Sequence, residues 1–298
     1  MGLICDTCVT GRLGNRITMA ANVLAFAREV GHLAILPALA PHAELFAGSS
    51  RLLVSTQGST PRTGGGIVQR FALKQAHRAS SLLRSQPWLQ RVLESTPGVR
   101  VWPEYPSYRN MLPQHPNAAP TPCFCTLVVG YQYRCVDLVN RHAGWLRQYF
   151  TPQDRWRRII HEKTGLALDR NSSTEAWVGV HIRKGDYRAW RGGKYFFEDD
   201  AYAASMARLE QLLHPRRTRF VLCSDEPIVA SAYEAFDWRP GPGSVTLDYL
   251  SLFGCHYLIS TTSSFSRTAS FLSNTPCYVL SQDRRLEALD DLVIEGLY

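Results

Sequence analysis

The chain has 298 residues, of which 45% are hydrophobic and 19% are charged. This composition is typical of a folded globular protein and excludes a disordered or fibrous chain. At about 100–200 residues per domain, the length predicts one large or two medium domains. The formal net charge of +8 favours anionic partners such as nucleotides, nucleic acid, lipid headgroups or acidic glycans, without choosing among them.

No stretch approaches the roughly 20 apolar residues that a membrane-spanning helix needs, so we expect no integral membrane segment. The first residues, MGLICDTCVTGR, do not combine a charged leader with a long apolar run. We therefore expect no signal peptide and a cytoplasmic location.

Eight cysteines are spread along the chain, including Cys5 and Cys8 at CxxC spacing and the close pair Cys123 and Cys125. A zinc site would require both pairs to converge. Disulfides are also disfavoured in a chain of this length without a leader. We expect buried, reduced thiols that act as small apolar side chains, and no bound metal.

The first 40 residues predict the opening of a parallel α/β domain. Residues 2–9 indicate a short strand, 11–15 a turn, and about 16–30 an apolar-periodic helix. Gly31 is suited to end that helix, and residues 32–37 indicate a second strand.

The middle of the chain is less regular. Residues 48–75 are rich in Gly, Ser, Thr and Arg, and residues 103–122 carry six prolines, so both stretches predict irregular structure. Residues 127–133 indicate a buried strand that leads into a helix ending near Phe150.

A polar, basic stretch at 151–175 marks a domain boundary, which we place between residues 1–155 and 156–298. After it, strands and helices alternate. Strands are expected at 176–182, 219–223, 256–260 and 277–280, and helices at 200–213, 227–236, 245–254 and 263–272. Four strands that alternate with helices predict an open, parallel, Rossmann-like sheet.

Ligands of open α/β sheets bind beyond the carboxyl ends of the strands. Four polar segments fall there: GRLGN (11–15), HIRKGDY (181–187), SDE (224–226) and STTSSFSR (260–267).

In HIRKGDY, His181 and Arg183 are two residues apart at a strand end and share one face. A guanidinium fixed there can direct two N–H donors at a phosphate. Asp186 can hold the following turn or act as a base. The alternative is an ordinary strand end with a surface Arg–Asp pair.

In STTSSFSR, Ser263 or Ser264 is suited to cap a helix. The free N–H groups and the dipole of that helix would favour an anion such as a diphosphate. Asp248 begins a short helix, and its carboxylate can accept two N–H bonds from a guanine edge. The alternative for STTSSFSR is ordinary helix capping. The alternative for Asp248 is an acid at a helix N-terminus that the dipole favours.

In GRLGN, Gly11 and Gly14 allow the backbone to approach another group closely. The segment is neither a dinucleotide-binding fingerprint nor a P-loop, and its alternative is a plain strand-to-helix turn.

In this order, with Asp248 separated by 14 residues from SSFSR, the segments resemble the α1,2-, α1,6- and protein O-fucosyltransferase superfamily. Residues 11–37 are similar to the first strand–helix segment of the protein O-fucosyltransferase branch. HIRKGDY resembles the HxRRGDY box of the α1,2 branch, and residues 246–272 resemble the third motif shared with the α1,6 branch. The middle, 41–170, matches nothing in the family.

The resemblance implies a GT-B-like α/β fold, with two Rossmann-like domains whose parallel sheets face a central cleft. It implies an inverting, metal-independent transfer of L-fucose from GDP-β-L-fucose to a hydroxyl of a glycan or glycoprotein, with no cofactor beyond the donor. The N-terminal domain would face the acceptor, and the C-terminal domain would bind the GDP-sugar.

The resemblance also assigns residue roles. Arg183 would bind the β-phosphate and aid departure of the leaving group. His181 and Asp248 would contact the nucleotide, Asp225 would flank the nucleoside, and Ser263, Ser264 and Phe265 would cradle the diphosphate. Asn15, with Gly11 and Gly14, would lie near the sugar and acceptor. One departure is that the α1,2 branch usually has further aromatic residues where this chain reads SFSRTAS, which leaves the linkage and acceptor open.

Several acids could take the acceptor proton: Asp186, Glu198, Asp199 and Asp200. The pattern selects none of them. We interpret residues 198–200 as a helix start, with acids at the positive end of the dipole, and not as a metal site.

Two other functions remain open. One is a GT-B transferase that uses another nucleotide sugar. The other is a non-enzymatic anion or nucleic-acid binder, suggested by the basic clusters at 155–158 and 216–219. No nucleic-acid-binding motif accompanies those clusters, so we expect no nucleic-acid partner. We interpret the arginines along 62–109 as a solvated surface.

Overall fold

The structure is a computed structural model that describes residues 2–7, 11–49, 53–58, 67–102, 124–128, 134–170 and 174–297. The chain divides into two compact units, Met1–Gln153 with Gly296–Tyr298, and Asp154–Glu295. This division lies two residues before the boundary expected from the sequence, and it assigns the last three residues to the first unit.

The first unit contains a five-stranded sheet in the order β3-β2-β1-β5-β4. Its elements are β1 (Leu3–Asp6), α1 (Leu13–Val30), β2 (Leu33–Ile35), β3 (Leu53–Ser55), α2 (Ile67–Ser85), α3 (Pro87–Glu94), β4 (Val99–Trp102), β5 (Cys125–Val128), α4 (Val136–Arg141) and α5 (Ala143–Tyr149). All neighbours pair in parallel except β2 and β3, which are antiparallel.

Helix α1 follows the predicted strand and turn, but it begins at Leu13, three residues before the predicted start. It ends where the sequence indicates, because Gly31 has a φ of 70° and its N–H bonds to the carbonyl of Ala27. Glycine adopts this left-handed conformation without a Cβ penalty. The helix buries Ile17, Leu24 and most of its other side chains.

The prediction of irregular structure over 48–75 is wrong at two places. β3 is a three-residue strand at the edge of the sheet, too short to give a periodic signal. α2 begins at Ile67, and its outward face carries apolar Phe71 and Leu82, which obscures the helical alternation. The strand expected at 127–133 is observed as Cys125–Val128, and its remainder lies outside the described residues, as does the proline-rich stretch 103–122.

The second unit contains a five-stranded, fully parallel sheet in the order β10-β9-β6-β7-β8. Its elements are α6 (Asp154–Thr164), β6 (Glu175–Ile182), α7 (Asp199–Leu213), β7 (Arg217–Ser224), β8 (Trp238–Pro240), α8 (Val245–Ser251), β9 (Tyr257–Ser260), α9 (Ser264–Ser273) and β10 (Cys277–Val279). β6 is central, and its apolar side chains pack against Tyr202, Met206 and Leu209 of α7.

The predicted helix at 227–236 is wrong, because this segment forms only a 3₁₀ turn, Ala230–Ala232, before β8. Tyr233 and Phe236 have helical spacing, but their rings pack edge-on against Trp238 and Phe220 and cover the edge of the sheet. β8 is therefore a fifth strand that the sequence analysis missed.

The α/β class with two mainly parallel, Rossmann-like sheets is confirmed. The cleft that the resemblance implies stays a prediction. Within the described ranges, no helix is long and apolar enough to cross a membrane.

The six described cysteines form no disulfides with one another; four of them are buried and two, Cys5 and Cys125, are half-buried. Cys8 and Cys123 lie outside the described residues, so the predicted CxxC and CxC pairs are described only in part. The residues in the described ranges form no cluster of three or more metal-ligating side chains.

Candidate functional site

Three of the polar segments meet at one edge of the second sheet. β7 and β9 are the two neighbours of β6, and His181 lies opposite Cys223 of β7 and Ser260 of β9. The residues that follow these three strands therefore emerge side by side, at the edge where open α/β sheets bind ligands.

Arg183 is the first residue after β6, and two carboxylates hold its guanidinium. Its Nη1 lies 2.7 Å from Oδ2 of Asp225, and its Nη2 donates to Oδ1 of Asp186. The guanidinium also lies over the ring of Tyr187, at 5.5 Å from the centroid. Asp186 is half exposed, so an incoming anion can replace its carboxylate at the guanidinium while the ion pair with Asp225 remains.

Asp225 contacts both the side chain of Arg183 and the backbone of the residue that follows it. Its Oδ1 accepts the N–H of Lys184 at 2.9 Å. A Cβ on Gly185 would lie 2.8 Å from Oδ2, so a glycine at this position gives the carboxylate its space. The contacts of Asp225 are with the 183–185 turn, and its proposed place beside the nucleoside stays a prediction.

Lys184 is a buried cation that the sequence analysis did not single out. Its Nζ lies 2.6 Å from Oδ2 of Asp199 and 3.6 Å from Glu198. The hydroxyl of Tyr233 donates to the other oxygen of Asp199 at 2.7 Å. α7 begins at Asp199, so the interpretation of 198–200 as a helix start is confirmed, and this start anchors the turn that carries Arg183. The acidic residues at 198–200 were the signal in the sequence from which a partner for Lys184 could have been predicted.

His181 is a neutral, buried histidine at the end of β6. Burial lowers its pKa to about 4, against the opposing effect of Asp225. Its ring stacks on Phe265 of α9, with 4.6 Å between centroids and 27° between the planes. Among the residues that the structure describes, its Nδ1 has no hydrogen-bond partner. A buried nitrogen without a partner is costly, so a ligand group that bonded to it would offset that cost.

The start of α9 lies beside this histidine. Ser263 is the N-cap, and its Oγ accepts the N–H of Phe265 at 3.2 Å. This hydroxyl therefore caps the helix, as the alternative interpretation holds, while Ser264 is half-buried in the first turn. The hydroxyl of Tyr187 donates to the carbonyl of Thr262 at 2.7 Å and so ties the Arg183 turn to the loop before α9.

Asp248 lies in the first turn of α8, near the end of β7. Its Oδ1 accepts the N–H of Gly243 at 3.1 Å. Burial raises the pKa of this carboxyl to about 6, although backbone hydrogen bonds from Gly243 and Ser244 lower it in part. Asp248 therefore stabilises the start of α8, and its half-buried carboxyl binds a proton more tightly than an ordinary aspartate.

Gly11, Gly14 and Asn15 belong to the first unit and follow β1 at the start of α1. Gly11 has a φ of 82°, and a Cβ there would lie 2.8 Å from Cβ of Asn15. The carbonyl of Gly11 accepts a bond from Nε of Arg16 at 3.0 Å. Asn15 is half-buried. These three residues form a strand-to-helix turn, and their place near a sugar stays a prediction.

Solved structures of POFUT1, a protein O-fucosyltransferase, are similar to this chain. The complex with GDP-fucose (crystal form I) has 8% identity, covers 96% of each chain and gives a TM-score of 0.49. The complex with GDP (crystal form III) has 9% identity, covers 93% of this chain and 97% of the other, and also gives 0.49. The apo form has 10% identity, covers 92% and 95%, and gives 0.47. The sequence matches no protein-family model and no curated protein. At these identities and TM-scores the likeness assigns no activity to this chain.

Proposed function

We propose that this chain is an inverting glycosyltransferase that moves L-fucose from GDP-β-L-fucose to a hydroxyl of a glycan or glycoprotein acceptor, without a metal ion. The observation that carries the proposal is the placement of Arg183. Its guanidinium lies at the carboxyl edge of a parallel sheet, and Tyr187 links its turn to the N-terminus of α9. The ordered motifs that resemble the fucosyltransferase superfamily supply the identity of the donor.

Arg183 and the first N–H groups of α9 would stabilise the leaving group. As the bond from the anomeric carbon to GDP breaks, negative charge builds on the β-phosphate. A guanidinium and helix N–H groups that are already in place offset that charge without reorganising. The helix start consists of Ser263, Ser264 and Phe265. The neutral His181 would offer the leaving group a ring nitrogen and not a second positive charge.

Recognition of the nucleotide would involve Asp248, whose carboxylate can accept two N–H bonds from guanine. Adenine offers no such pair of donors, so this contact would select GDP. For Gly11, Gly14 and Asn15 of the first unit, the resemblance implies a role near the sugar and acceptor.

We infer the general base from the contacts of the four candidate acids. Asp199 is bonded to Lys184 and Tyr233, and the carboxylate of Asp200 accepts the N–H of Ala201 at 2.8 Å. Asp186, Glu198 and Asp200 are exposed enough to meet an acceptor. We assign the base to Asp186, because it contacts the guanidinium that would bind the leaving group.

The direct test incubates the full chain with GDP-fucose, EDTA and a panel of glycan and glycopeptide acceptors, and measures GDP release and fucose transfer. Transfer in EDTA, with inversion at the anomeric carbon, is the expected result. Binding of UDP as tightly as GDP contradicts the assigned donor. Activity that appears only after a divalent metal is added contradicts metal independence.

A second candidate is a transferase for another nucleotide sugar, favoured by the SFSRTAS sequence of the third motif. A thermal-shift panel of GDP-fucose, GDP-mannose and UDP-sugars separates the two. Stabilisation by one of the others, without stabilisation by GDP-fucose, selects this second candidate.

A further inference from the structure

Helices α2 and α3 of the first unit expose large apolar side chains. Phe71 and Leu82 of α2, and Trp88 and Val92 of α3, are each more than half exposed. We name the outward side chains of these helices the α2–α3 surface; it consists of Phe71, Lys74, Arg78 and Leu82 of α2, and Trp88, Arg91 and Val92 of α3. Clusters of exposed apolar side chains on soluble proteins commonly mark interaction sites.

The spacing places these residues on one face of each helix. In α2, the outward residues recur at i, i+3, i+7 and i+11, while Leu73, Ser80 and Leu83 on the opposite face are buried. In α3, Trp88, Arg91 and Val92 recur at i, i+3 and i+4. α2 therefore has two apolar faces, one packed against its own unit and one turned outward.

The same segment carries much of the positive charge of the protein. Residues 67–102 contain six Lys and Arg against one acidic residue, a net +5 of the +8 of the whole chain. Lys74, Arg78 and Arg91 form no ion pair with a carboxylate in the described parts of the chain. All three side chains are exposed, so they give this surface a positive charge that complements an anionic partner.

We propose that the α2–α3 surface docks the protein onto an anionic lipid bilayer. Basic side chains gain from the negative surface potential of such a bilayer, and Trp, Phe and Leu side chains gain by entering the boundary between headgroups and acyl chains. On the outward face of α2, Lys74 and Arg78 lie between Phe71 and Leu82, so a single approach of that face satisfies both. This role is independent of the proposed transfer reaction.

Two other occupants fit the chemistry less well. A second copy of the chain would bring the same positive surface against itself, and like charges oppose such a contact. A nucleic acid would use the basic side chains and could stack bases on Trp88 or Phe71. It would leave the aliphatic Leu82 and Val92 in water, whereas a bilayer accommodates them.

The test measures co-sedimentation of the full chain with vesicles of phosphatidylcholine alone, or of phosphatidylcholine with phosphatidylglycerol. Binding to the anionic vesicles only, weakened by added salt, is expected. The double variants Leu82→Ser with Trp88→Ser, and Lys74→Glu with Arg78→Glu, should each lower the partition coefficient about tenfold or more. All four positions are exposed, and the melting temperature reports whether the fold is retained.

Matched controls lie in the second unit, where Val229→Ser with Val293→Ser removes two exposed apolar side chains and Arg284→Glu with Arg285→Glu reverses two exposed charges. Both controls should bind vesicles like the parent chain.

Absent vesicle binding, or equal losses of binding in the controls and the α2–α3 variants, overturns the proposal. Binding of single-stranded RNA without vesicle binding assigns the surface to nucleic acid, and self-association abolished by the Leu82 variant assigns it to a second copy. Either result also overturns it. GDP binding of each variant, measured in parallel, keeps this outcome separate from that of the transfer reaction.

Discussion

Oδ2 of Asp225 lies 2.7 Å from Nη1 of Arg183, while Oδ1 of the same carboxylate accepts the N–H of Lys184. One side chain thus fixes both the guanidinium and the backbone of the turn that follows β6. The contact exists because β6 and β7 are parallel neighbours, with Ile182 opposite Ser224. In the proposed reaction, an arginine that is already oriented needs no reorganisation when the leaving group develops charge, so we propose that Asp225 is a positioning residue.

We expect Asp225→Asn to lower kcat about 10–100-fold with little change in the KM for GDP-fucose, because small misplacements of a catalytic group are costly. The amide can still accept the Lys184 N–H but loses the ion pair. Steady-state kinetics measure kcat and KM separately and so check this prediction. The matched control is Asp237→Asn, which removes a carboxylate of similar exposure, 27% against 21%, also paired with an arginine at 2.7 Å. Asp237 pairs with Arg217 at the amino end of β7, so its variant should keep the parent kcat. Equal losses in both variants would assign Asp225 a purely structural role.

Arg183→Lys should retain the fold and lose about 10²–10³-fold in turnover, the usual cost of one donor to a developing anion. Lysine keeps the charge but cannot reach Asp225 and a phosphate with separate N–H groups in one plane. Release of GDP from GDP-fucose measures the effect. Arg188→Lys is the control, because Arg188 belongs to the same turn but pairs with Glu226 at the surface. Near-normal turnover in the Arg183 variant contradicts the proposed phosphate contact.

The strand ends that build the site could be predicted because they are local patterns. The apolar run before His181 and Arg183 marks a buried strand, and a serine before an apolar-periodic run marks the start of a helix. The contact of Arg183 with Asp225 could not be predicted in the same way. It joins residues 42 positions apart, and it depends on which strands are neighbours, a property that hydrophobic period does not encode.

Buried polar side chains and short edge elements account for the remaining errors. Lys184 has the sequence character of a loop lysine, yet Asp199 and Tyr233 enclose it because the start of α7 packs against the turn. The segment with Tyr233 and Phe236 has helical spacing, but tertiary ring contacts determine its conformation. In each case packing between distant elements overrides the local pattern.

Asp186→Asn should lower kcat about 10²-fold, the low end for a general base, and leave GDP affinity nearly unchanged. Its control is Glu198→Gln, which removes another exposed candidate acid while Asp199 still holds Lys184. Single-turnover transfer to the acceptor found in the activity panel separates the two. A large loss in the Glu198 variant, with none in the Asp186 variant, would move the base to the start of α7.

GDP affinity should decrease as the pH falls through about 6, because burial raises the pKa of Asp248 to that value and only the carboxylate can accept two N–H bonds from guanine. His181 titrates lower, near 4, so it does not contribute to this step. Isothermal titration of GDP across this range should show the decrease in the parent chain and a weak, flat profile in Asp248→Asn. ADP serves as the control ligand, since adenine lacks the paired donors and its affinity should show no step that depends on Asp248.

The same shift has an opposite consequence for folding. A carboxyl whose pKa is higher in the folded chain than its ordinary value of 3.8 binds its proton more tightly when folded. Its contribution to stability is therefore complete below about pH 4 and is lost as the pH rises through about 6. Asp248→Asn removes this dependence, so the free energy of unfolding of the variant should change less than that of the parent between these values. A variant in which unfolding loses its pH dependence while GDP binding keeps the parent profile would place the carboxyl in the helix start alone and remove it from the nucleotide site.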